Sequence, residues 1–118
     1  MLCPYCKVSV EEHPAGECMD RWVAESVMGW FEEDFYDTIF WRDEERTVSL
    51  KPCDWQPSTD PVCSEMVWDK MVADGWIMLL EEIFNARVRA AQNFKDFEVY
   101  ADTKHLAICK VALLAVGK

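Results

Sequence analysis

The stretch MDRWVAESVMGW, residues 19–30, decides how the rest of this chain folds. Its apolar residues recur at helical spacing and line one face of an α-helix: Met19, Trp22, Val23, Val27 and Trp30. Gly29 favours the end of that helix, because glycine adopts the left-handed backbone conformation without strain. The sequence therefore predicts a first helix that lays one apolar face against a core.

Length and composition place the chain among folded single-domain proteins. With 118 residues, of which 51% are apolar, it is long enough for one hydrophobic core. The sequence shows no apolar run of the roughly 20 residues that a membrane span needs, and no N-terminal secretion signal. We therefore expect a cytoplasmic protein without a membrane partner, in which the six cysteines are thiols or metal ligands.

The charge balance constrains the partners. The chain has 22 acidic and 12 basic residues, a net charge of −10, and this argues against nucleic acid as a partner. The acids are densest in residues 32–45: Glu32, Glu33, Asp34, Asp37, Asp43, Glu44 and Glu45. Such density is typical of a solvated surface. It also fits a surface that competes with nucleic acid for a basic protein.

Residues 1–18, called the head below, carry a candidate metal site. The spacing is C-x2-C-x6-H-x4-C, with ligands Cys3, Cys6, His13 and Cys18. Three thiols and one imidazole suit tetrahedral zinc, and the spacing is close to that of zinc knuckles, although the second spacer is longer. We predict one structural zinc ion in the head and a single α/β domain over residues 19–118. The alternative is a head of incidental thiols without metal.

The first two cysteines also form a CPYC motif, which resembles the redox motif of glutaredoxins. There the motif follows a strand and opens a helix that lowers the pKa of the first thiol. Here it begins at Cys3, with no room for a preceding strand. A thiol oxidoreductase acting through Cys3 and Cys6 is therefore kept only as an alternative.

The second half of the chain predicts a helix and three strands. Asp60 suits the N-cap of a second helix with Pro61 at its first position, and Gly75 ends that helix. Residues 76–83 form an apolar run typical of a strand covered on both faces. Residues 86–91 and 97–101 alternate between apolar and polar side chains, and the short connections favour antiparallel pairing. For residues 84–92, strand and helix both remain open.

Two further elements complete the predicted fold. Residues 38–41 and 47–50 suit a small hairpin. Residues 106–116 form a last helix that is apolar on nearly every side, where Lys110 either reaches solvent or places a cation at the edge of a cavity. The predicted fold class is α+β: a small antiparallel sheet of about three strands, with room for an extra hairpin, packed with three α-helices in an α/β sandwich.

Three separated motifs share an order and spacing with a known family. They are HPAG followed by residues 19–30, PSTD at residues 57–60, and ADTKHLAICKVALLAV at residues 101–116. Together they resemble the phage α-β-α sandwich domain proteins of tailed phages and prophages, with Lys110 where that pattern commonly has Arg. The resemblance covers residues 13–118. It implies a phage origin, a host-cytoplasmic location and a sandwich fold, and it brings no catalytic residues.

These observations predict a non-catalytic phage accessory protein. No glycine-rich phosphate loop, HExxH or GxSxG motif is present in the sequence. We expect it to bind a host protein or a small anionic host signal, and counter-defence is one role of this kind. Two alternatives stay open: inhibition of a basic host protein by a surface that mimics the charge of nucleic acid, and self-association into a homo-oligomer. An anion would meet the start of the second helix near aromatic rings and a cation: Trp30, Trp41, Trp55, Ser58, Thr59 and Lys110.

Overall fold

A three-stranded antiparallel sheet and the helix that crosses it form the centre of the fold. The computed structural model describes residues 2–82 and 85–117. The elements in chain order are α1 Glu17–Ser26, β1 Phe31–Phe35, β2 Thr38–Arg42, α2 Pro61–Ala73, β3 Ile77–Glu82, β4 Ala86–Gln92, β5 Lys95–Ala101 and α3 Lys104–Gly117. Short 3-10 turns lie at Val10–Glu12 and Pro52–Asp54. The predicted α+β class, with three helices, a three-stranded sheet and an extra hairpin, is confirmed.

The sheet β3-β4-β5 presents one apolar and one charged face. On β4 the side chains of Ala86, Val88 and Ala90 are buried, while Arg87 and Arg89 point to the other face. This is the predicted alternation, and the helical alternative for this segment is wrong. The helix α3 packs on β4 and β5, and both α1 and α2 pack on α3. The core therefore lies between the sheet and the helices.

Helix α2 begins and ends close to the predicted positions, whereas α1 does not. The Asp60 carboxylate accepts hydrogen bonds from the backbone N–H groups of Val62 and Cys63, which confirms the predicted N-cap of α2. Gly75, at φ 94°, follows α2 in the left-handed region. By contrast α1 runs from Glu17 to Ser26 and not from residue 19 to residue 30, so the boundary drawn after residue 18 falls inside it.

The hairpin differs from the predicted one. Strand β2 pairs with β1, from Phe31 opposite Arg42 to Phe35 opposite Thr38. The turn is made by Tyr36 and Asp37, both at positive φ, as a tight two-residue hairpin turn requires. Of the predicted pairing between residues 38–41 and 47–50, a single antiparallel bridge between Trp41 and Leu50 remains.

Strand β3 is an edge strand, and the prediction that it is covered on both faces is wrong. Ile77 and Leu79 are 67% and 55% exposed, because they point away from the helices. No strand in the described part of the chain pairs with the free edge of β3. Ile83, predicted to end this strand, and Phe84, the start of the segment left open between strand and helix, lie outside the described residues.

Helix α3 is buried almost all round, as predicted. Lys110 follows neither of its two predicted alternatives, since it is only 5% exposed and its Nζ donates a hydrogen bond of 2.8 Å to the Glu11 carbonyl oxygen. None of the helices in the described ranges combines the length and apolarity needed to cross a bilayer.

Candidate metal centre and acidic cleft

The head folds into a tight turn that aims two thiols in one direction. Leu2 and Ser9 form an antiparallel bridge, and the Cys3 N–H donates to the Val8 carbonyl at 2.9 Å. The Lys7 N–H donates back to the Cys3 carbonyl at 3.0 Å, with Lys7 at φ 65°. This chain reversal places the Cys3 and Cys6 sulfurs on the same side, next to the residues that follow the 3-10 turn.

The four residues that spacing predicts as zinc ligands converge. Their ligand atoms all lie within 4.8 Å of one another: Cys3 Sγ, Cys6 Sγ, His13 Nε2 or Nδ1, and Cys18 Sγ. Cys3 Sγ lies 3.2 Å from Cys18 Sγ, and Cys6 Sγ lies 3.2 Å from His13 Nε2. A tetrahedral zinc site with Zn–S bonds of about 2.3 Å separates its sulfurs by roughly 3.7 Å. The cluster is therefore compatible with one bound metal ion.

The imidazole of His13 is oriented for this role by its other nitrogen. Its Nδ1 lies 2.7 Å from the Pro14 carbonyl oxygen, which can only accept, so Nδ1 carries the proton. The lone pair is then on Nε2, on the side that faces Cys6. A carbonyl partner on the second ring nitrogen is the usual support of a metal-binding histidine. The ring is 2% exposed and lies beside the Trp22 ring.

The thiols influence one another's protonation. Burial disfavours the Cys3 thiolate, but hydrogen bonds from the Cys6 backbone, Cys18 and His13 outweigh it and lower the pKa of Cys3. Burial, together with hydrogen bonds and charge from Cys3 and Cys6, raises the pKa of Cys18 to about 12. The Cys18 thiol thus holds a proton that a divalent cation would replace.

Three contacts outside the cluster attach the head to the rest of the fold. The Lys110 ammonium on α3 binds the Glu11 carbonyl, and the Gly16 N–H donates to Ser58 Oγ at 3.0 Å. The Arg21 guanidinium on α1 lies 4.5 Å from the centre of the Tyr5 ring. Cys3 and Val10 are completely buried with the core. The head is therefore held by α1, α3 and the loop before α2.

A cleft of about 440 Å³ opens beside α1, the helix that also carries Cys18 of the cluster. It lies between α1, β2 and the Pro52–Asp54 turn and is lined by Glu17, Asp20, Arg21, Glu32, Ile39, Trp41, Pro52, Cys53, Trp55 and Gln56. Two predicted ligand-binding residues, Trp41 and Trp55, are thus brought together. The Trp30 ring packs edge-on against Trp55, with centroids 4.6 Å apart, and is not among the residues that line the cleft.

The other predicted ligand-binding residues lie elsewhere. Ser58 is 1% exposed, and its N–H donates to Asp20 Oδ1 at 2.8 Å. The Thr59 N–H donates to the Gln56 carbonyl, and the Asp60 carboxylate already occupies the first amides of α2. Lys110 faces the head and not the cleft. An anion at this helix start would therefore have to compete with an internal carboxylate.

Sequence reasoning missed Glu17 and Asp20, two of the acidic residues that make the lining of the cleft negatively charged. Glu17 and Asp20 are three positions apart in the first turn of α1, a spacing that places them on one face. Burial raises the pKa of Asp20, partly opposed by hydrogen bonds from Ser58. The Arg21 guanidinium lies 3.1 Å from the Glu32 carboxylate. The helical spacing of the two acids was the available signal.

Comparison with known proteins agrees with this architecture. No curated protein matches the chain. A crystal structure of a phage protein from Bacillus cereus is similar, with a TM-score of 0.65 at 19% sequence identity, over 89% of this chain and 95% of that chain. At that identity the likeness shows the fold alone. The phage ABA sandwich domain matches residues 21–113, which is most of the chain, and the resemblance drawn from the three motifs is confirmed. The chain therefore belongs to the phage ABA sandwich domain family.

Proposed function

We propose that this phage protein is a non-catalytic binding protein for a host molecule, and that one structural zinc ion orders its head. One observation carries the proposal: α1 supplies Cys18 to the metal cluster and Glu17 and Asp20 to the cleft. Metal binding at one side of this helical turn would hold the wall of the cleft at the other. The head is then a support for a binding surface.

The ligand set favours zinc in a structural role. Three thiolates and one imidazole are a typical structural zinc set, whereas catalytic zinc keeps one position for water or substrate. All four positions would here be filled by protein atoms. This supports a binding function over metal-assisted hydrolysis.

The burial of Cys3 disfavours the redox alternative. A thiol oxidoreductase needs an accessible thiolate that attacks a partner disulfide. Cys3 is completely buried, and its sulfur lies 3.2 Å from that of Cys18. In a CxxC redox motif the first cysteine is the attacking thiolate, and here that residue, Cys3, is the buried one whereas Cys6 is exposed.

Metal analysis tests the zinc proposal. Protein purified without chelator should contain one zinc per chain, and the double variant Cys3→Ser/Cys6→Ser should contain none. Cys53→Ser is the matched control, because Cys53 is exposed and outside the cluster, and it should keep the metal. Chelation should lower the melting temperature by a few degrees while a cooperative transition remains. Metal-free wild-type protein would refute the zinc proposal.

The acidity favours a protein target with basic groups over an anionic signal. The net charge is −10, and three carboxylates line the cleft. Inhibition of a basic host protein by acidic mimicry, including in counter-defence, is one form of this function. A small anionic ligand remains the second candidate, because Trp41 and Trp55 are among the residues that line the cleft.

Native mass spectrometry of protein recovered from host lysate separates these targets. A host protein in a defined ratio with the zinc-loaded chain supports the proposal. A bound anionic metabolite of small mass supports the second candidate. Recovery of the chain with zinc alone, from cells in which the phage grows, would contradict a host-binding function.

A further inference from the structure

The turn between β4 and β5 fixes which backbone groups of the sheet bond to which strand. Asn93 and Phe94 form this turn, both at positive φ, and the residues that flank it, Gln92 and Lys95, are opposite each other. The flanking residues of such a two-residue turn form a hydrogen-bonded pair. Hydrogen-bonded and non-hydrogen-bonded pairs alternate along an antiparallel ladder. The next residue of β4, Ala91, therefore directs its N–H and C=O groups to β3.

The free edge of β3 consequently presents the backbone groups of Met78, Leu80 and Glu82. Ala91 lies opposite Ile77, so Ile77 and every second residue after it bond to β4, and the residues between them point the other way. No backbone group in residues 2–82 or 85–117 pairs with the N–H groups on this edge. An unpaired edge of this kind is a template for one further extended chain.

A groove of about 370 Å³ lies beside Leu80, between α2 and the start of α3. Leu80 is opposite the buried Val88, so its side chain is on the side of the sheet that faces the helices. It is nevertheless 37% exposed, and Trp68 on α2, which also lines the groove, is half-buried. The groove therefore offers accessible apolar surface to a side chain that arrives next to β3.

Carboxylates predominate around the groove. Glu65 and Asp69 line it, four positions apart on one face of α2, and both are exposed. Among the described residues, neither has a cation within salt-bridge distance. Glu82 follows Leu80 on the same side of β3, and Lys104 is the one base of the lining. With three acids against one base, this side of the edge favours a basic segment.

The same charges disfavour a second copy of this chain at the edge. In self-pairing that continues the sheet, residues opposite each other lie on the same side, so the helix-facing Glu82 of the copy would join Glu65 and Asp69. Each chain also has a net charge of −10. Like charges placed opposite each other are destabilising, so a different, basic chain fits this edge better.

We propose that β3 accepts an extended segment of a host protein as an additional strand, with an apolar side chain in the groove and basic side chains on either side of it. This rests on the proposed binding function and names the form of its partner. Main-chain hydrogen bonds to Met78, Leu80 and Glu82 supply affinity, and alternate side chains of the segment supply selectivity. The side chain opposite Leu80 enters the groove beside Trp68, and the basic side chains two positions away meet the carboxylates.

The test uses the full-length protein, purified without chelator, and three capped peptides. The first has the order arginine, threonine, valine, threonine, arginine, threonine, so that valine lies between two arginines on one side of the extended chain. The other two have the same side chains but carry backbone N-methyl groups on the odd or on the even positions. Because only alternate amides face β3, one methylated peptide should retain binding and the other should bind about tenfold or more weakly in calorimetry.

Amide hydrogen exchange locates the added strand. The amides of Met78 and Leu80 should exchange fast in the free protein and become protected with the unmodified peptide. The Leu79 amide, which bonds to β4, should be protected in both states. Leu80→Pro removes one outward N–H without breaking a bond to β4, and it should abolish peptide binding while the Leu79 amide stays protected.

Two charge-matched variants separate the groove from general acidity. Glu65→Gln/Asp69→Asn removes two carboxylates of the groove, and Glu44→Gln/Glu45→Gln removes two exposed acids outside it. The first should weaken binding of the unmodified peptide about threefold or more, and the second less than about twofold.

Four results would overturn the inference. They are no binding of the unmodified peptide, equal binding of the two methylated peptides, equal losses in the two charge variants, and a dimer whose Met78 and Leu80 amides are already protected without peptide. The last would mean that a second copy covers the edge. Capture from host lysate distinguishes this failure from failure of the proposed function. If wild type and Leu80→Pro capture the same host protein equally, the binding function stands and the edge site is wrong.

Discussion

The head and the layer between α3 and the sheet both bury their central residues, but they do so with different chemistry. Val88 and Leu113 in the core are fully buried among apolar side chains. In the head, Cys3 and His13 are almost as buried, yet they face other thiols and a ring nitrogen. Apolar burial stabilises the core without any ligand, whereas under the zinc proposal the ion held by these four polar groups would add order to the head. The two parts should therefore respond differently to substitution and to metal removal.

The largest effect is expected from a cavity in the core. Leu113→Ala should lower the free energy of unfolding by about 2–5 kcal/mol, because it removes buried methyl groups and leaves a void under α3. Leu79→Ala is the matched control at a position 55% exposed, and it should cost far less. Urea unfolding followed by circular dichroism measures both. Equal effects would mean that the sheet's outer face is also packed in solution.

An intermediate effect is expected where the head and the core meet. Lys110→Met keeps the long apolar stem but removes the donor to the Glu11 carbonyl. Loss of that hydrogen bond should lower the free energy of unfolding by about 1 kcal/mol, and part of this loss is offset because a charge is no longer buried. Amide hydrogen exchange should become faster in the head more than in the sheet. Lys70→Met, which breaks an exposed pair with Asp74, is the control. Faster exchange throughout the sheet would show that Lys110 stabilises the core directly.

The smallest effect should come from the charged outer face of the sheet. Arg87 pairs with Glu98 at 2.6 Å and with Glu81 at 2.9 Å, and its hydrogen bond lowers the pKa of Glu98 from the ordinary value of a glutamate. A carboxylate with a lowered folded-state pKa contributes stability above its unfolded pKa and loses it as the pH falls through the folded value. Wild type should therefore lose slightly more stability than Glu98→Gln between about pH 5 and pH 3. Parallel pH profiles of the two proteins would exclude this contribution.

The elements that were predictable from sequence carry a strong local signal. Asp60 and Pro61 mark a helix start by their own backbone chemistry, and β4 alternates so regularly that one face must be buried. The convergence of Cys3, Cys6, His13 and Cys18 was also predictable, because ligand types and spacing together limit the geometry. In each case a few neighbouring residues suffice to specify the structure.

The remaining features depend on residues distant in sequence. Strand β1, FEEDF, has three acids, and its pairing depends on a turn at Tyr36 and Asp37 without glycine. The exposure of β3 follows from the number of strands in the sheet, which its own apolar run does not reveal. Lys110 and Asp20 are buried by partners 99 and 38 positions away in the chain, so neither contact has a local signal.

We propose that metal coordination orders the head while apolar burial stabilises the core. Zinc X-ray absorption spectroscopy of the protein purified without chelator tests it most directly. We expect one zinc per chain with three sulfurs at about 2.3 Å and one nitrogen at about 2.0–2.1 Å. A shell of oxygen and nitrogen alone, or protein free of zinc whose head amides are nevertheless protected from exchange, would contradict the account.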